Sequence, residues 1–204
     1  MGEKRPDLAE QRDIESVYQP AEDSRLLAET AAAHAERGVR VLDVGTGSGY
    51  VARRIAEETG VDVIASDLNP HACREARAKA GVPVVRADLL SPFREDAFDV
   101  VTFNPPYLPT DPDREWGDWM EAALSGGETG REVVEPFLGD LRRVLAPGGD
   151  AFLLVSSLTG VEAVRDHART SGLTTMEAAS ESHPFERLVV LHLRPSDPVS
   201  QTAV

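Results

Sequence analysis

The chain has 204 residues, 35 acidic against 21 basic, for a formal net charge of −14. That length suits one domain with a full core, and the acidic field repels nucleic acid unless high salt screens it. Cys73 is the single cysteine, which excludes an internal disulfide and a Cys-rich zinc site.

Lys occurs only at Lys4 and Lys79, so the basic side chains are almost all Arg. An acidic, Lys-poor, Ala- and Val-rich chain matches the proteins of halophilic archaea, or else an acidic protein from a GC-rich genome. There is no apolar run long enough to span a membrane and no basic-then-apolar leader, so the expected location is cytoplasmic.

Residues 1–16 are charged and aperiodic and read as a flexible leader. Val17-Tyr18-Gln19-Pro20-Ala21-Glu22-Asp23-Ser24 opens a helix to about Arg37, with Leu26, Leu27, Thr30, Ala31 and His34 on one face and Gly38 as its stop. Glu22 and Asp23 suit the positive end of that helix. Residues 39–44 form a short buried strand, followed at once by Gly45-Thr46-Gly47-Ser48-Gly49 and a helix over 50–58. Glycines let a ligand approach the backbone, and the helix start offers unpaired N–H groups. The spacing departs from the dinucleotide pattern, and Asp43 lies two positions before the first glycine. A carboxylate there repels a pyrophosphate and attracts an ammonium, which favours S-adenosylmethionine over NAD.

The next strand, 61–66, ends in Asp67-Leu68-Asn69-Pro70. Asp67 stands about 20 residues past the glycine turn, where an acidic side chain binds ribose hydroxyls; the alternative is membership of the helix cap. Asn69 caps the following helix, Pro70 fits its first turn and Gly81 ends it. Cys73 lies inside that helix and reads as buried and inert. Residues 82–86 are a third strand, demoted to an edge by Pro83. Asp88 and Leu89 follow it, suited to accept from an adenine amino group and to pack on the ring.

The apolar strand ending at Phe103 stops at Asn104-Pro105-Pro106-Tyr107. Neither proline has an N–H, and Pro105 pushes Asn104 out of the helical region. A carboxamide is thereby held at the carboxyl end of a strand, where open α/β sheets bind ligands. Its oxygen, the Pro105 carbonyl and the Tyr107 ring suit the gripping of a planar NH2 group; an ordinary strand-to-loop turn is the alternative.

A Pro- and Asp-rich loop over 108–119 leads to Gly126-Gly127-Glu128-Thr129-Gly130-Arg131-Glu132, beside the presumed site. Val133, Val134, Phe137, Leu138, Leu141, Val144 and Leu145 make a helix face that Pro147-Gly148-Gly149 stops. Residues 151–155 are a fifth strand, and Thr159-x-x-Glu162 reads as a capping box opening a helix to Ser171. Strands over 173–178 and 188–193 follow, joined by a loop holding His183, read as structural rather than as a base. The tail, 196–204, reads as disordered. The alternation predicts a parallel sheet flanked by helices, with a single domain over 17–195.

Together the Asp43 glycine turn, Asp67, Asn104-Pro105-Pro106-Tyr107, the 17–24 segment and the 126–132 segment resemble the HemK-type glutamine N5-methyltransferases in their archaeal and eukaryotic form. The resemblance implies a class I Rossmann-like fold with seven strands, the last antiparallel. It also implies S-adenosylmethionine as cofactor, no metal in this chain, and the Gly-Gly-Gln glutamine of a class I release factor as substrate. Carried over, Ser24, Asp43 and Gly45 contact the methionine part, Asp67 the ribose, Asp88 and Leu89 the adenine, and Gly47 is a further cofactor-binding position. Asn104, Pro105, Pro106 and Tyr107 form the catalytic segment, with Asn104 and Tyr107 on the substrate. The family often has Glu and Thr where Asp43 and Ser24 stand, which keeps the chemistry. A small zinc-binding activator protein is the implied partner, and the apolar edge over 82–86 offers it a strand to pair with. Adenine or guanine amino groups and Lys side chains remain alternative acceptors, and a non-catalytic binding module is a further reading.

Overall fold

The computed structural model describes residues 22–36, 38–110 and 124–196. The expected leader, the 17–21 approach to the first helix, most of the Pro- and Asp-rich loop and the tail beyond 196 lie outside the described residues. The described chain runs α1 (Glu22–Ala32), β1 (Arg40–Val44), α2 (Tyr50–Thr59), β2 (Asp62–Asp67), α3 (Pro70–Lys79), β3 (Val84–Arg86), β4 (Phe98–Phe103), α4 (Val134–Val144), β5 (Leu145–Ser156), α5 (Val161–Thr170), β6 (Leu173–Ser182) and β7 (Arg187–Pro195).

The seven strands form one sheet in the order β3-β2-β1-β4-β5-β7-β6. The first five pair in parallel, and β7 inserts antiparallel between β5 and β6. Alternation along each strand divides the core between two faces. Val41, Val63, Val100 and Phe152 pack with Leu27, Ala31, Ile55 and Ala76 on one side. Leu42, Val101 and Leu153 pack with Phe137, Leu138, Leu141 and Val164 on the other. Helices on both faces explain why the central strands read as nearly continuous apolar runs.

Local differences from the sequence reading have physical causes. Helix α1 ends at Ala32, well before Arg37, and His34 lies beyond it. The His34 ring still continues the Leu27 and Ala31 face, resting beside Phe152 of the same core cluster and beside His192 at centroid distances of 4.9 and 5.6 Å. Strand β3 starts at Val84 because Pro83 has no N–H for the ladder, although its carbonyl still accepts from Ala65 N–H at 2.9 Å. Pro147-Gly148-Gly149 is not the stop of α4: the helix has already ended at Val144, and the three residues sit inside β5. There the register against β4 slips between Phe98 and Val100, and Gly149 packs against the Phe98 and Asp99 carbonyls. Thr159 does not cap α5. Gly160, at φ 83°, is the cap residue, and the Thr159 hydroxyl turns instead to the Tyr107 carbonyl.

Candidate active site

The carboxyl ends of β1, β2 and β4 and the segment after β3 enclose a cavity of about 570 Å³, within the roughly 300–1,000 Å³ of small-molecule sites. Ser24, Asp43, Gly45, Gly47, Asp67, Asp88, Leu89, Asn104 and Pro106 all line it. Pro105 and Tyr107 line a second, smaller cavity of about 60 Å³, which shares Asn104 and Pro106 with the first. Residues distant in sequence thus converge on one place, with Asn104 at the junction.

The β1–α2 turn needs its first glycine. Gly45 has φ 60°, and a Cβ there would lie 2.9 Å from the Phe103 ring. Asp43 is buried just before the turn, its two carboxylate oxygens accepting from the Thr46 hydroxyl at 2.6 Å and the Thr102 hydroxyl at 2.8 Å. Burial pushes its pKa up to about 6, against the opposing pull of the two hydroxyls. Asp67 ties the turn to the next helix, accepting from Gly47 N–H at 2.9 Å and Asn69 N–H at 2.8 Å. Asp67 lines the cavity, and it also braces the α3 cap, where Asn69 Oδ1 accepts from His71 N–H. Burial raises the Asp67 pKa as well, opposed by those backbone donors. Leu89 is held at φ 46°, a left-handed conformation that costs a non-glycine residue about 1–3 kcal/mol and clusters at ligand clamps.

Asn104 carries the sharpest feature. Its Nδ2 donates to Asp23 Oδ2 at 3.2 Å and to Ser24 Oγ at 3.3 Å. Its Oδ1 is enclosed and has no hydrogen-bond partner. The carboxamide is thus oriented from behind, with its acceptor free. The sequence marks Ser24 as a cofactor contact and Asp23, buried beside it, only as a helix-dipole residue. Its role became visible only when the fold brought it to Asn104, 81 positions away.

The loop after Asn104 is braced on several sides. Leu108 and Thr110 exchange backbone bonds with Leu124, Gly126 and Gly127. Gly130 lies so close that a Cβ would sit 2.7 Å from the Tyr107 carbonyl oxygen. That explains the glycine-bearing 126–132 segment: it seats the Asn104–Tyr107 loop, and its Glu132 also reaches the larger cavity. Tyr107 is half-buried, and burial raises its hydroxyl pKa, helped by the nearby Asp23 and Glu186 carboxylates. It therefore stays protonated and is no base. His183 lies 3.9 Å from both Glu22 and Glu181 and lines neither cavity.

A family model described as a methyltransferase domain matches residues 41–127. A protein of Methanocaldococcus jannaschii, provisionally named protein N5-glutamine methyltransferase MJ0928, is 33% identical over 183 residues, covering 86% of this chain and 90% of the relative. The human protein named Methyltransferase HEMK2 is 35% identical over 188 residues, covering 86% and 88%. The chain belongs to the HemK-type glutamine methyltransferase family. The solved complex of E. cuniculi Mtq2 with Trm112, described as responsible for methylating the eRF1 translation termination factor, aligns at 28% identity with a TM-score of 0.73. It covers 89% of this chain and all of that one.

As a HemK-type enzyme the chain is an S-adenosylmethionine-dependent methyltransferase, and its cavity suits that cofactor. Asp43 offers a carboxylate to an ammonium, Asp67 keeps lone pairs beyond its two backbone bonds for hydroxyls, and Ser66 Oγ is a buried lining atom without a partner. No cluster of metal-ligating side chains occurs among the described residues, and no helix there is long and apolar enough to cross a membrane.

Proposed function

We propose that this chain transfers a methyl group from S-adenosylmethionine to the side-chain amide nitrogen of the Gly-Gly-Gln glutamine in a class I peptide-chain release factor. The observation that carries this reading is the Asn104 carboxamide, held through its nitrogen by Asp23 and Ser24 with its oxygen enclosed and unpartnered. An enclosed acceptor without a donor costs about 1–3 kcal/mol, and a ligand N–H removes that cost.

When bound, S-adenosylmethionine supplies a methyl group made electrophilic by a sulfonium. Ser24, Asp43, Gly45 and Gly47 would hold its methionine part, Asp67 its ribose, and Asp88 and Leu89 its adenine. The glutamine nitrogen is a weak nucleophile, because its lone pair is delocalised into the amide carbonyl. Asn104 Oδ1 and the Pro105 carbonyl each accept one of its two N–H bonds, turning the lone pair toward the larger cavity. Pro106 stiffens the loop and Tyr107 covers the amide plane. Positioning of this kind can supply ~7–11 kcal/mol of barrier reduction. The same bonds would strengthen as the nitrogen becomes cationic, until it sheds one N–H proton to solvent as a neutral N-methyl amide, and the buried Asp23 carboxylate behind Asn104 reinforces them.

The chain would work in the cytoplasm, in a salt-adapted host, as a heterodimer with a small zinc-binding methyltransferase activator. The support for that partner is the complexed state of the Mtq2 relative and the outer position of β3, with Val85 and Arg86 exposed. The Arg77 guanidinium donates to the Val84 carbonyl at 2.9 Å, and an incoming strand would compete for that acceptor. Radiolabelled methyl transfer offered in parallel to a release factor, its Gly-Gly-Gln glutamine variant, a Lys-containing protein, RNA and DNA tests the acceptor. Label on the release factor alone, lost in the glutamine variant, is the expected result. Label on nucleic acid, at which the −14 charge would have to be overcome, would replace the reading.

A further inference from the structure

The acceptor-side cavity is too small to account for recognition of a protein. At about 60 Å³ it holds little more than the end of one side chain, so the binding free energy that seats an acceptor has to come from surface outside it. Three loops lie together on that side of the site, the first of them lining the cavity. They are 107–110 after β4, 157–160 after β5 and 183–186 between β6 and β7, and they are tied to one another. Thr159 Oγ1 donates to the Tyr107 carbonyl at 3.4 Å, Ser157 N–H to the Arg187 carbonyl at 2.9 Å, and Ser156 Oγ to Glu186 at 2.7 Å. The hairpin tip is itself ordered by His183 N–H donating to the Glu186 carbonyl at 2.8 Å.

Each loop presents one large apolar side chain to solvent: Leu108 at 37% exposure, Leu158 at 48% and Phe185 at 93%. A single exposed apolar residue is ordinary, but three on neighbouring, mutually tied loops beside the site mark an interaction surface. The charges nearby are mostly paired: Arg25 with Glu181, Arg187 and Arg165 with Glu177, while Arg131 donates to the Thr159 carbonyl; Glu22 and Glu186 stand outside those arginine pairs.

We propose that this rim docks the acceptor protein, with Phe185 as its anchor and Leu158 and Leu108 beside it. The occupant is a basic segment carrying an apolar side chain close to the methylated glutamine. An aromatic anchor surrounded by weaker contacts is a usual form for a binding hot spot, and the Glu22 and Glu186 carboxylates favour a basic partner at low salt. The assignment rests on the glutamine reading above.

The test compares the full-length wild type, co-purified with its activator, with Phe185→Ala, Phe185→Asp and Leu158→Asp prepared in the same complex, at saturating S-adenosylmethionine. Two acceptors are used, the intact release factor and a short Gly-Gly-Gln peptide. The KM for the intact factor rises tenfold or more in the Asp variants and rises with added salt in the wild type. Its kcat, and kcat/KM for the peptide, stay within twofold. An unchanged KM for the intact factor, with methylation otherwise normal, overturns the docking assignment alone. So does a wild-type dimer that Phe185→Asp dissociates, or a lower melting temperature in Phe185→Ala without a KM effect, since another copy or the chain itself then covers the residue. A wild type that methylates neither acceptor overturns the glutamine reading, and the docking assignment falls with it.

Discussion

Removing the Asp23 carboxylate tests whether Asn104 works because its carboxamide is oriented. A carboxamide can turn over about its last torsion. Flipped, Asn104 would point an NH2 group at the NH2 group of the substrate, and the key acceptor would be lost. The acceptor-only Asp23 Oδ2 at 3.2 Å opposes the flip, whereas the Ser24 hydroxyl at 3.3 Å can rotate to donate to the flipped oxygen. A hydrogen bond to a charged group is worth about 1.5–3 kcal/mol. At 3.2 Å the Asp23 bond is longer than the strongest charge-assisted pairs, so about 1.5–2 kcal/mol applies. At about 1.4 kcal/mol per tenfold, Asp23→Ala should lower kcat about 10- to 30-fold at saturating cofactor. Asp23→Asn retains a neutral acceptor worth about 0.5–1.5 kcal/mol, so much of the rate returns. The assay is steady-state methyl transfer with melting curves to certify folding, extended to a double-mutant cycle with Asn104→Ala. In the Asn104→Ala background the Asp23 substitution should cost almost nothing further, because no carboxamide is left to orient. A folded Asp23→Ala enzyme with kcat within twofold of wild type, or fully additive losses, would refute the reasoning.

Four further outcomes follow from the same geometry. Asp67→Asn keeps the side-chain shape and should weaken S-adenosylmethionine binding without changing the methylated product; unchanged affinity by calorimetry removes the ribose assignment. Asp43 has a pKa raised to about 6, so its neutral form is favoured in the fold and its ionised form is available above that value. Lowering pH through about 6 should therefore weaken cofactor binding by up to tenfold per pH unit while the cofactor-free fold gains stability from this group; a flat affinity from pH 7.5 to 5.5 contradicts the ammonium contact. With 35 acidic against 21 basic residues, the melting temperature should climb steeply from dilute buffer to molar salt, and a salt-independent melt removes the salt-adapted reading. Val85→Glu, on the exposed side of β3, should abolish pairing with the activator while leaving the isolated chain folded; normal co-purification of that variant rejects β3 as the shared edge.

The parts of this fold legible in the sequence were those set by local chemistry. Apolar strands bounded by glycine turns, Asn69 capping α3 and Pro83 marking an edge all depend on neighbours a few positions away. The cavity residues were legible for a related reason. In a parallel sheet, loops after successive strands share one end, so Asp43, Asp67, Asp88 and Asn104 converge. What the sequence hid was long-range. Asp23 has the appearance of a helix-dipole residue until its distant Asn104 partner is known, and Thr159 fits a capping box although its hydroxyl serves Tyr107. Pro147-Gly148-Gly149 has the chemistry of a helix stop, yet pairing with β4 draws the segment into a bulged strand. Val84 illustrates the limit at finer scale. It reads as part of an open edge, but its side chain is buried on the helix-covered face, and only Val85 next to it is exposed.

The central claim is that Asn104 positions a glutamine side-chain amide for methylation. Peptide mass spectrometry of a release factor, after incubation with S-adenosylmethionine and either the wild type or folded Asn104→Ala, tests it directly. The expected result is one methyl group on the side-chain nitrogen of the Gly-Gly-Gln glutamine with wild type, formed about 10²–10³ times more slowly by the variant, as loss of one preorganised polar group costs elsewhere. A methyl group on any other residue, or an Asn104→Ala enzyme that modifies the glutamine at the wild-type rate, would contradict it.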